Sequence, residues 1–182
     1  MASQAERMQT LVSDLLTLSR LEGSPLPGYS DWVDAEELCA EVAEEGRALS
    51  SLLWPVSGPE QRVNLNPVPR VAVAGVSSEL RSALSNLVVN AVRYTPGSGQ
   101  IDIKATVLAD GRIEFAVADT GPGIPPEHLP RLSERFYRVD RSRSRESGGT
   151  GLGLAIAKHV AQRHGGELSM ASVLGQGSRF SL

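Results

Sequence analysis

The chain has 182 residues, enough for one domain with its own hydrophobic core plus an appended element, and 41% of them are hydrophobic. Its formal net charge of −3 provides no overall basic field, which argues against nucleic acid as a partner. No segment approaches the roughly 20 apolar residues of a membrane helix, and the N-terminus lacks the pattern of a signal peptide.

The first element predicted from the sequence is an amphipathic helix over residues 5–22, with Met8, Leu11, Leu15 and other apolar residues at helical spacing. The following segment, GSPLPGYSD (23–31), contains two glycines and two prolines and ends the helix. Two alternatives stay open for its apolar stripe. Either the helix folds back on the main domain, or it is half of a helical hairpin that needs a further helix and a second subunit.

A second helix is predicted from Asp34 to Leu53, with Asp34 as its N-cap. It contains the single cysteine, Cys39, which we interpret as a small core residue and which fits a reducing, cytoplasmic setting. Two short strand-like runs, RVNLN and RVAVAG, follow. The next helix, SELRSALSNLVVNAVRYT, is expected to begin at a serine cap and to stop before Pro96.

The C-terminal half is predicted to contain two hairpins. Alternating polar and apolar residues around Asp110-Gly111 predict the first, over residues 100–121. A proline-rich turn, a short helix, an arginine-rich segment, a helix to about His164 and a last hairpin over 166–182 follow. The fold class is therefore α+β, a two-layer sandwich of a mixed, antiparallel-rich sheet with helices on one face, plus the N-terminal helix.

The stretch ESGGTGLGLAIAKHV (146–160) places four glycines within six positions at the start of a helix. Such a cluster exposes backbone N–H groups where the helix dipole is positive, and it lets a phosphate approach closely. On this stretch alone, a loose connection is an equal alternative. It is neither a Walker loop nor a dinucleotide fingerprint, because no Lys-Ser or Lys-Thr follows the glycines and no strand precedes them.

Two further patterns suggest a nucleotide. In ADTGPGIP, Asp119 at a strand end can accept a hydrogen bond from an exocyclic amine such as that of adenine, although the same residues are common in turns. Asn86 and Asn90 lie four residues apart on one helix face. Their carbonyls can coordinate Mg²⁺, or they can be core amides bonded to nearby backbone.

Residues 131–146 contain six arginines against three acidic residues. A charge run is usually a solvated face, but its position before the glycines favours a mobile lid that neutralises phosphate. The histidines, His128, His159 and His164, lack metal-ligand spacing and are interpreted as surface or packing residues.

Taken in order, these elements resemble the catalytic, ATP-binding part of sensor histidine kinases, which share a fold with the gyrase, Hsp90 and MutL ATPases. LRSALSNLVVNAVRYTP resembles the N box, DTGPGIP the G1 box, ERFYRVD the F box, GGTGLGLAIAKH the G2 box and GQGSRF the final element. LVSDLLTLSRLE is similar to the second helix of the dimerisation and phosphoacceptor domain. Among these kinases the boxes look most like those of phosphate-regulon sensors.

The resemblance implies three parts: residues 1–22 as the second helix of the dimerisation domain, 23–31 as a linker and 32–182 as the catalytic ATP-binding domain. It implies that Asn90 coordinates Mg²⁺, with Asn86 beside it near the phosphates as a second catalytic position. The implied ATP-binding residues are Asn86, Asn90, Arg93, Tyr94, Asp119, Gly121, Gly123, Ile124, Tyr137, Arg138, Arg141, Gly149, Thr150, Gly151, Leu152, Gly153, Leu154 and Ser178. Of these, Arg93 and the last glycines would contact phosphate, and Asp119 would bind the adenine amine. Tyr137, Arg138, Arg141 and Phe136 would belong to the lid.

The reaction type follows from one position in this resemblance. In the related hydrolases a Glu four residues before the metal-binding Asn activates water, whereas here the residue is Asn86, which cannot act as a base. This favours transfer of the γ-phosphate to a protein side chain. None of the three histidines lies in the H-E-[LF]-[RK] context of the family's phosphoacceptor.

We therefore expect an ATP- and Mg²⁺-dependent protein-histidine kinase domain that acts on a histidine outside this chain. The implied partners are a dimerisation helix, a second subunit and a response regulator, in the cytoplasmic portion of an inner-membrane sensor. Two alternatives remain: a nucleotide-sensing interaction module without phosphotransfer, and a gyrase- or Hsp90-like ATPase.

Overall fold

The structure is a computed structural model that describes residues 4–28, 31–54, 61–139 and 149–182. Its helices are α1 Gln4–Gly23, α2 Ala35–Leu53, α3 Ser77–Tyr94 and α4 Gly153–Arg163, with a 3₁₀ helix at Pro126–Arg131. Its strands are β1 Trp32–Asp34, β2 Arg62–Leu65, β3 Ala72–Ala74, β4 Gln100–Val107, β5 Ile113–Asp119, β6 Ser169–Val173 and β7 Gly177–Ser181. Every helix in these ranges is too short or too polar to cross a bilayer.

Five strands form one mixed sheet in the order β2-β4-β5-β7-β6. Strand β2 pairs with β4 in parallel, and the other neighbours pair antiparallel, so the two predicted hairpins supply most of the sheet. A separate two-stranded ribbon joins β1 to β3, with Val33 opposite Val73. The sequence interpretation missed β1, because a strand of three residues carries too little alternation to be detected.

One face of the large sheet is apolar and the other polar, as the alternating pattern predicts. Ile101 and Ile103 of β4 and Val117 of β5 are fully or almost fully buried on the inner face, under helices α2 and α3. On the outer face Arg179 pairs with Glu114 at 2.7 Å. The predicted α+β fold, with helices on one side of a mixed sheet, is confirmed.

Helix α2 begins as predicted, since the Asp34 carboxylate accepts hydrogen bonds from the backbone of Glu36 and Glu37 at 2.8 and 2.9 Å. The predicted serine cap of α3 is wrong. The N-cap is Val76, whose carbonyl accepts from the Leu80 amide at 3.0 Å and which offers no side-chain cap. Its own N–H donates to Nε2 of His164 at 3.1 Å, so a distant side chain supports this helix start.

Helix α1 packs against α4 in this structure, and its interpretation as half of a helical hairpin stays a prediction. Leu18 and Leu21 are 3% and 5% exposed, whereas Met8 and Leu16 remain 65% and 54% exposed. The apolar stripe of α1 is therefore divided between a half that is buried on the domain and a half that faces solvent.

Candidate functional site

The Asp119 carboxylate lies at the end of β5 and is held by backbone. Its Oδ1 accepts a hydrogen bond from the Gly121 amide at 2.8 Å, and the backbone of Ser178 on neighbouring β7 donates a second. Burial raises the pKa of Asp119, and these two hydrogen bonds act against that rise. A carboxylate has about four acceptor positions, so this side chain can still bind an amine.

Serine hydroxyls support the segment from Asp119 to Pro125, which we call the Asp119 loop. The Ser172 hydroxyl accepts from the Ile124 amide at 2.8 Å, donates to the Gly177 carbonyl at 2.9 Å and contacts the Ser178 hydroxyl at 3.0 Å. In the same region, the backbone of Gly123 packs against the backbone of Val173, the last residue of β6. Sequence reasoning missed Ser172, although its place opposite Ser178 in the predicted hairpin is a usable signal.

The two asparagines of α3 differ in their bonding. Asn86 donates from Nδ2 to the Ser82 carbonyl at 2.8 Å on its own helix. Its Oδ1 faces the first residue of α4, where a Cβ on Gly153 would come within 2.5 Å of it, so any larger residue at position 153 would require the Asn86 side chain to move. Asn90 is half-buried, and its side-chain amide forms no hydrogen bond within the described part of the chain. Its carbonyl is therefore suited to a ligand such as Mg²⁺.

Two guanidinium groups flank Gly149, the first residue of the glycine-rich turn (residues 149–153) that leads into α4. A Cβ on Gly149 would lie 3.6 Å from Nη2 of Arg138, 3.7 Å from Nη1 of Arg93 and 4.0 Å from the Tyr94 hydroxyl. Arg138 also donates to the Gly149 carbonyl at 2.5 Å. Burial lowers the pKa of Arg93, with Arg138 as a further repelling charge. Two cations beside exposed backbone are an arrangement that stabilises an anion.

The glycine-rich turn is joined to the segment that precedes it. Gly151 has φ +76°, a left-handed conformation that favours glycine, and its carbonyl accepts from the Phe136 amide at 2.9 Å. Phe136 itself has φ +63°, which is strained for a bulky residue. Leu152 is fully buried and Leu154 packs against the core, so packing fixes the end of the turn that enters α4.

The predicted lid is only partly described. Tyr137 is half-buried, with its hydroxyl 2.6 Å from Nδ1 of His128 and the Arg131 guanidinium carbon 4.3 Å from its ring centroid. Arg141 lies outside the described residues, as does all of 140–148. The described part of the segment thus holds its tyrosine against neighbouring side chains.

One residue connects the two halves of the site. The Tyr94 carbonyl would be 3.2 Å from a Cβ on Gly121, beside Asp119, and the Tyr94 hydroxyl reaches toward Gly149. Tyr94 as a whole residue is 52% exposed. The structure therefore brings the Asp119 loop, the end of α3 and the glycine-rich turn together into one continuous surface.

A residue of α1 also reaches this surface, and sequence reasoning missed it. Oδ2 of Asp14 accepts a hydrogen bond from the Thr150 hydroxyl at 2.6 Å. The two residues are 136 positions apart, so only the docking of α1 reveals the contact.

Residues 75–182 match the protein family described as histidine kinase-, DNA gyrase B- and HSP90-like ATPase, and the chain belongs to this family. Its relatives place it among the sensor histidine kinases. It is 48% identical over 181 residues to the phosphate regulon sensor protein PhoR of Pseudomonas aeruginosa, covering 100% of this chain and 39% of that protein. The chain spans 39% to 46% of the length of the first curated relatives that it matches.

Solved structures agree with this assignment. A full-length ShkA in complex with AMPPNP superposes with a TM-score of 0.76 at 33% identity, covering 96% of this chain and 35% of that one. The mycobacterial sensor histidine kinase MprB gives a TM-score of 0.67 at 30% identity, covering 83% of this chain and 93% of that one. The domain is thus of the ATP-binding type found in sensor kinases.

Proposed function

We propose that this chain is the catalytic domain of a protein-histidine kinase, and that it binds Mg·ATP across the surface from Asp119 to Gly149. The observation that carries the proposal is the position of Tyr94, whose backbone adjoins the Asp119 loop and whose hydroxyl adjoins the glycine-rich turn. An exposed aromatic residue that lies between a half-buried carboxylate and two guanidinium groups complements the shape and charge of a nucleotide.

At one end of this surface, Asp119 would accept a hydrogen bond from the adenine amino group. Gly121, Gly123 and Ile124 would line the base, with Ser178 behind Asp119. The AMPPNP in the ShkA complex, an ATP analogue, supports a nucleotide as the ligand.

At the other end, Arg93, Arg138 and Gly149–Leu154 would hold the phosphates, and Phe136, Tyr137 and Arg141 would belong to the lid. The Asn90 carbonyl would take one position on Mg²⁺. When bound, the metal supplies positive charge that offsets the charge on the phosphate oxygens. Arg93 and Arg138 add fixed charge at the same end of the site.

The choice of kinase over hydrolase rests on Asn86. Its amide nitrogen is bonded to the Ser82 carbonyl and its oxygen faces Gly153, and an amide at this position cannot take a proton from water. In the proposed reaction the γ-phosphoryl group leaves the bridging oxygen of ATP, bonds to a histidine nitrogen and releases ADP.

The acceptor histidine would come from outside this chain. Both ring nitrogens of His164 are engaged, since Nδ1 donates to the Val160 carbonyl at 2.8 Å and Nε2 accepts from Val76. Nδ1 of His128 is bonded to Tyr137. We interpret residues 1–22 as the second helix of a dimerisation domain, 23–31 as its linker and 32–182 as the catalytic domain. A second subunit, a response regulator and a membrane-anchored parent sensor are the corresponding partners and setting.

The test is a transfer assay with γ-labelled ATP, Mg²⁺ and a separately produced dimerisation domain that carries the H-E-[LF]-[RK] motif. We expect label on that histidine, and none with the Asn90→Ala chain or with an acceptor in which the histidine is replaced. Nucleotide binding without transfer would instead support a sensing module. Steady phosphate release without an acceptor, lost in Asn90→Ala, would support an ATPase.

A further inference from the structure

The contact between α1 and the glycine-rich turn places a carboxylate at the proposed phosphate end of the site. Asp14 accepts from the Thr150 hydroxyl at 2.6 Å, and the same hydroxyl accepts from the Leu152 amide at 3.2 Å. Thr150 therefore connects Asp14 to the backbone just before α4. This is the end of a helix at which an anion is favoured.

The surroundings of Asp14 resemble those expected for a phosphate. The side chain is half-buried, and Arg93 attracts it electrostatically. Burial raises the pKa of Asp14, while Thr150 and Arg93 favour its charged form. Thr150 and Arg93 are also two of the groups that the proposed function assigns to the nucleotide.

The docking of α1 has its own anchors at the opposite end of the helix. Arg163 donates to the carbonyls of Leu21, Ser24 and Pro25 at 2.8, 2.9 and 2.8 Å. Leu18 and Leu21 of α1 are buried against the domain, and Glu22 of the same helix pairs with Arg135. Because these contacts fix the last turns of α1, Asp14 is held over the glycine-rich turn one to two turns earlier along the helix.

We propose that Asp14 is an internal phosphate mimic: with α1 docked, its carboxylate occupies the phosphate end of the nucleotide site, so that Asp14 and nucleotide phosphates compete for Thr150. This inference rests on the proposed function. Binding of a nucleotide displaces Asp14, and the docked helix in turn weakens nucleotide binding, because coupling between two sites is reciprocal. The device would link the position of the dimerisation helix to nucleotide occupancy.

The experiment compares adenosine with ADP, which differ only in phosphate, on three versions of this chain: the parent, Asp14→Asn and Asp110→Asn. Asp14→Asn removes the charge but keeps an acceptor for Thr150. Asp110→Asn is the matched control, since it makes the same chemical change at an exposed carboxylate that pairs with Arg112 in the hairpin turn, away from α1. Affinities are measured by calorimetry, with circular dichroism to confirm that each variant is folded.

We expect Asp14→Asn to bind ADP roughly 5- to 20-fold more tightly than the parent, the range of a modest coupling between sites. Its affinity for adenosine should stay within about twofold, well below the smallest coupling expected for ADP. Asp110→Asn should not separate the two ligands. In hydrogen exchange, ADP should speed exchange around Asp14 in the parent chain, and adenosine should not.

Equal or weaker ADP binding by Asp14→Asn overturns the inference. So does an equal gain for adenosine and ADP, because that would reflect general opening of the site and not competition with phosphate. If ADP binds the parent and the variant alike, only the mimic is wrong. If no protein binds ADP, the proposed function fails as well.

Discussion

Replacing Arg163 by alanine tests whether α1 is a fixed part of this domain. The Arg163 side chain is 7% exposed and makes two hydrogen bonds to the Glu79 carboxylate, at 3.0 and 3.1 Å. It also donates to three carbonyls at the end of α1 and in the following segment. Arg163→Ala therefore leaves a mostly buried carboxylate without its partner and removes the donors that hold the end of α1.

The expected loss follows from this burial. Removing one partner of a buried ion pair lowers the free energy of unfolding by about 3–5 kcal/mol, whereas an exposed pair contributes about 0–1 kcal/mol. The matched control is Arg81→Ala, because Arg81 pairs with Glu41 at 3.2 Å and both side chains are about half exposed. The two substitutions thus remove the same side chain from a buried and from an exposed pair.

Urea unfolding gives the two free energies, and hydrogen exchange reports on α1 directly. We expect the free energy of unfolding to fall at least about 2 kcal/mol further in Arg163→Ala than in Arg81→Ala, because about 2 kcal/mol is the smallest difference between the ranges for buried and exposed pairs. We also expect faster exchange at the end of α1 in Arg163→Ala alone. Equal losses in the two variants, or unchanged exchange in α1, would refute the anchoring of α1 by Arg163.

Three further predictions concern the core and the site. Gly46→Ala should cost about 1–3 kcal/mol in urea unfolding, because the new Cβ would come within 2.6 Å of Val88, whereas Gly23→Ala, with no atom within 4 Å, should cost nothing. Burial raises the pKa of Cys39 to about 11, so its reaction with iodoacetamide at pH 8 should require unfolding, and rapid labelling of the native protein would contradict this. Burial also raises the pKa of Asp119 above its unfolded value, so its charged form destabilises the fold and stability falls as the pH rises through that pKa. Asp119→Asn should therefore stabilise the ligand-free protein at pH 7 and not at acidic pH, as measured by urea unfolding, and equal effects at both would argue against it.

Local chemistry is what made much of the fold predictable. The hairpin between β4 and β5 follows from Asp110-Gly111, where Asp110 accepts from the Arg112 amide at 3.0 Å and Gly111 has φ +83°. The Asp34 cap likewise depends on residues two and three positions away. Signals of this range are complete within a short window of sequence.

What sequence reasoning missed depends on contacts between distant residues. The start of α3 is supported by His164, 88 positions from Val76. Strand β1 is defined by its pairing with β3, and the contact between Asp14 and Thr150 exists only because α1 docks on α4. No periodicity or motif encodes these three features, since each needs the whole fold to be formed.

The central claim, that this surface binds an adenine nucleotide, is tested most directly by calorimetric titration of Mg·ADP. We expect saturable binding to the parent chain and a loss of about 1.5–3 kcal/mol in Asp119→Asn, the worth of a hydrogen bond to a charged group. Asp110→Asn, an equal change of charge in the exposed hairpin turn, should bind like the parent. Absence of binding to the parent chain, or unchanged affinity in Asp119→Asn, would contradict the account.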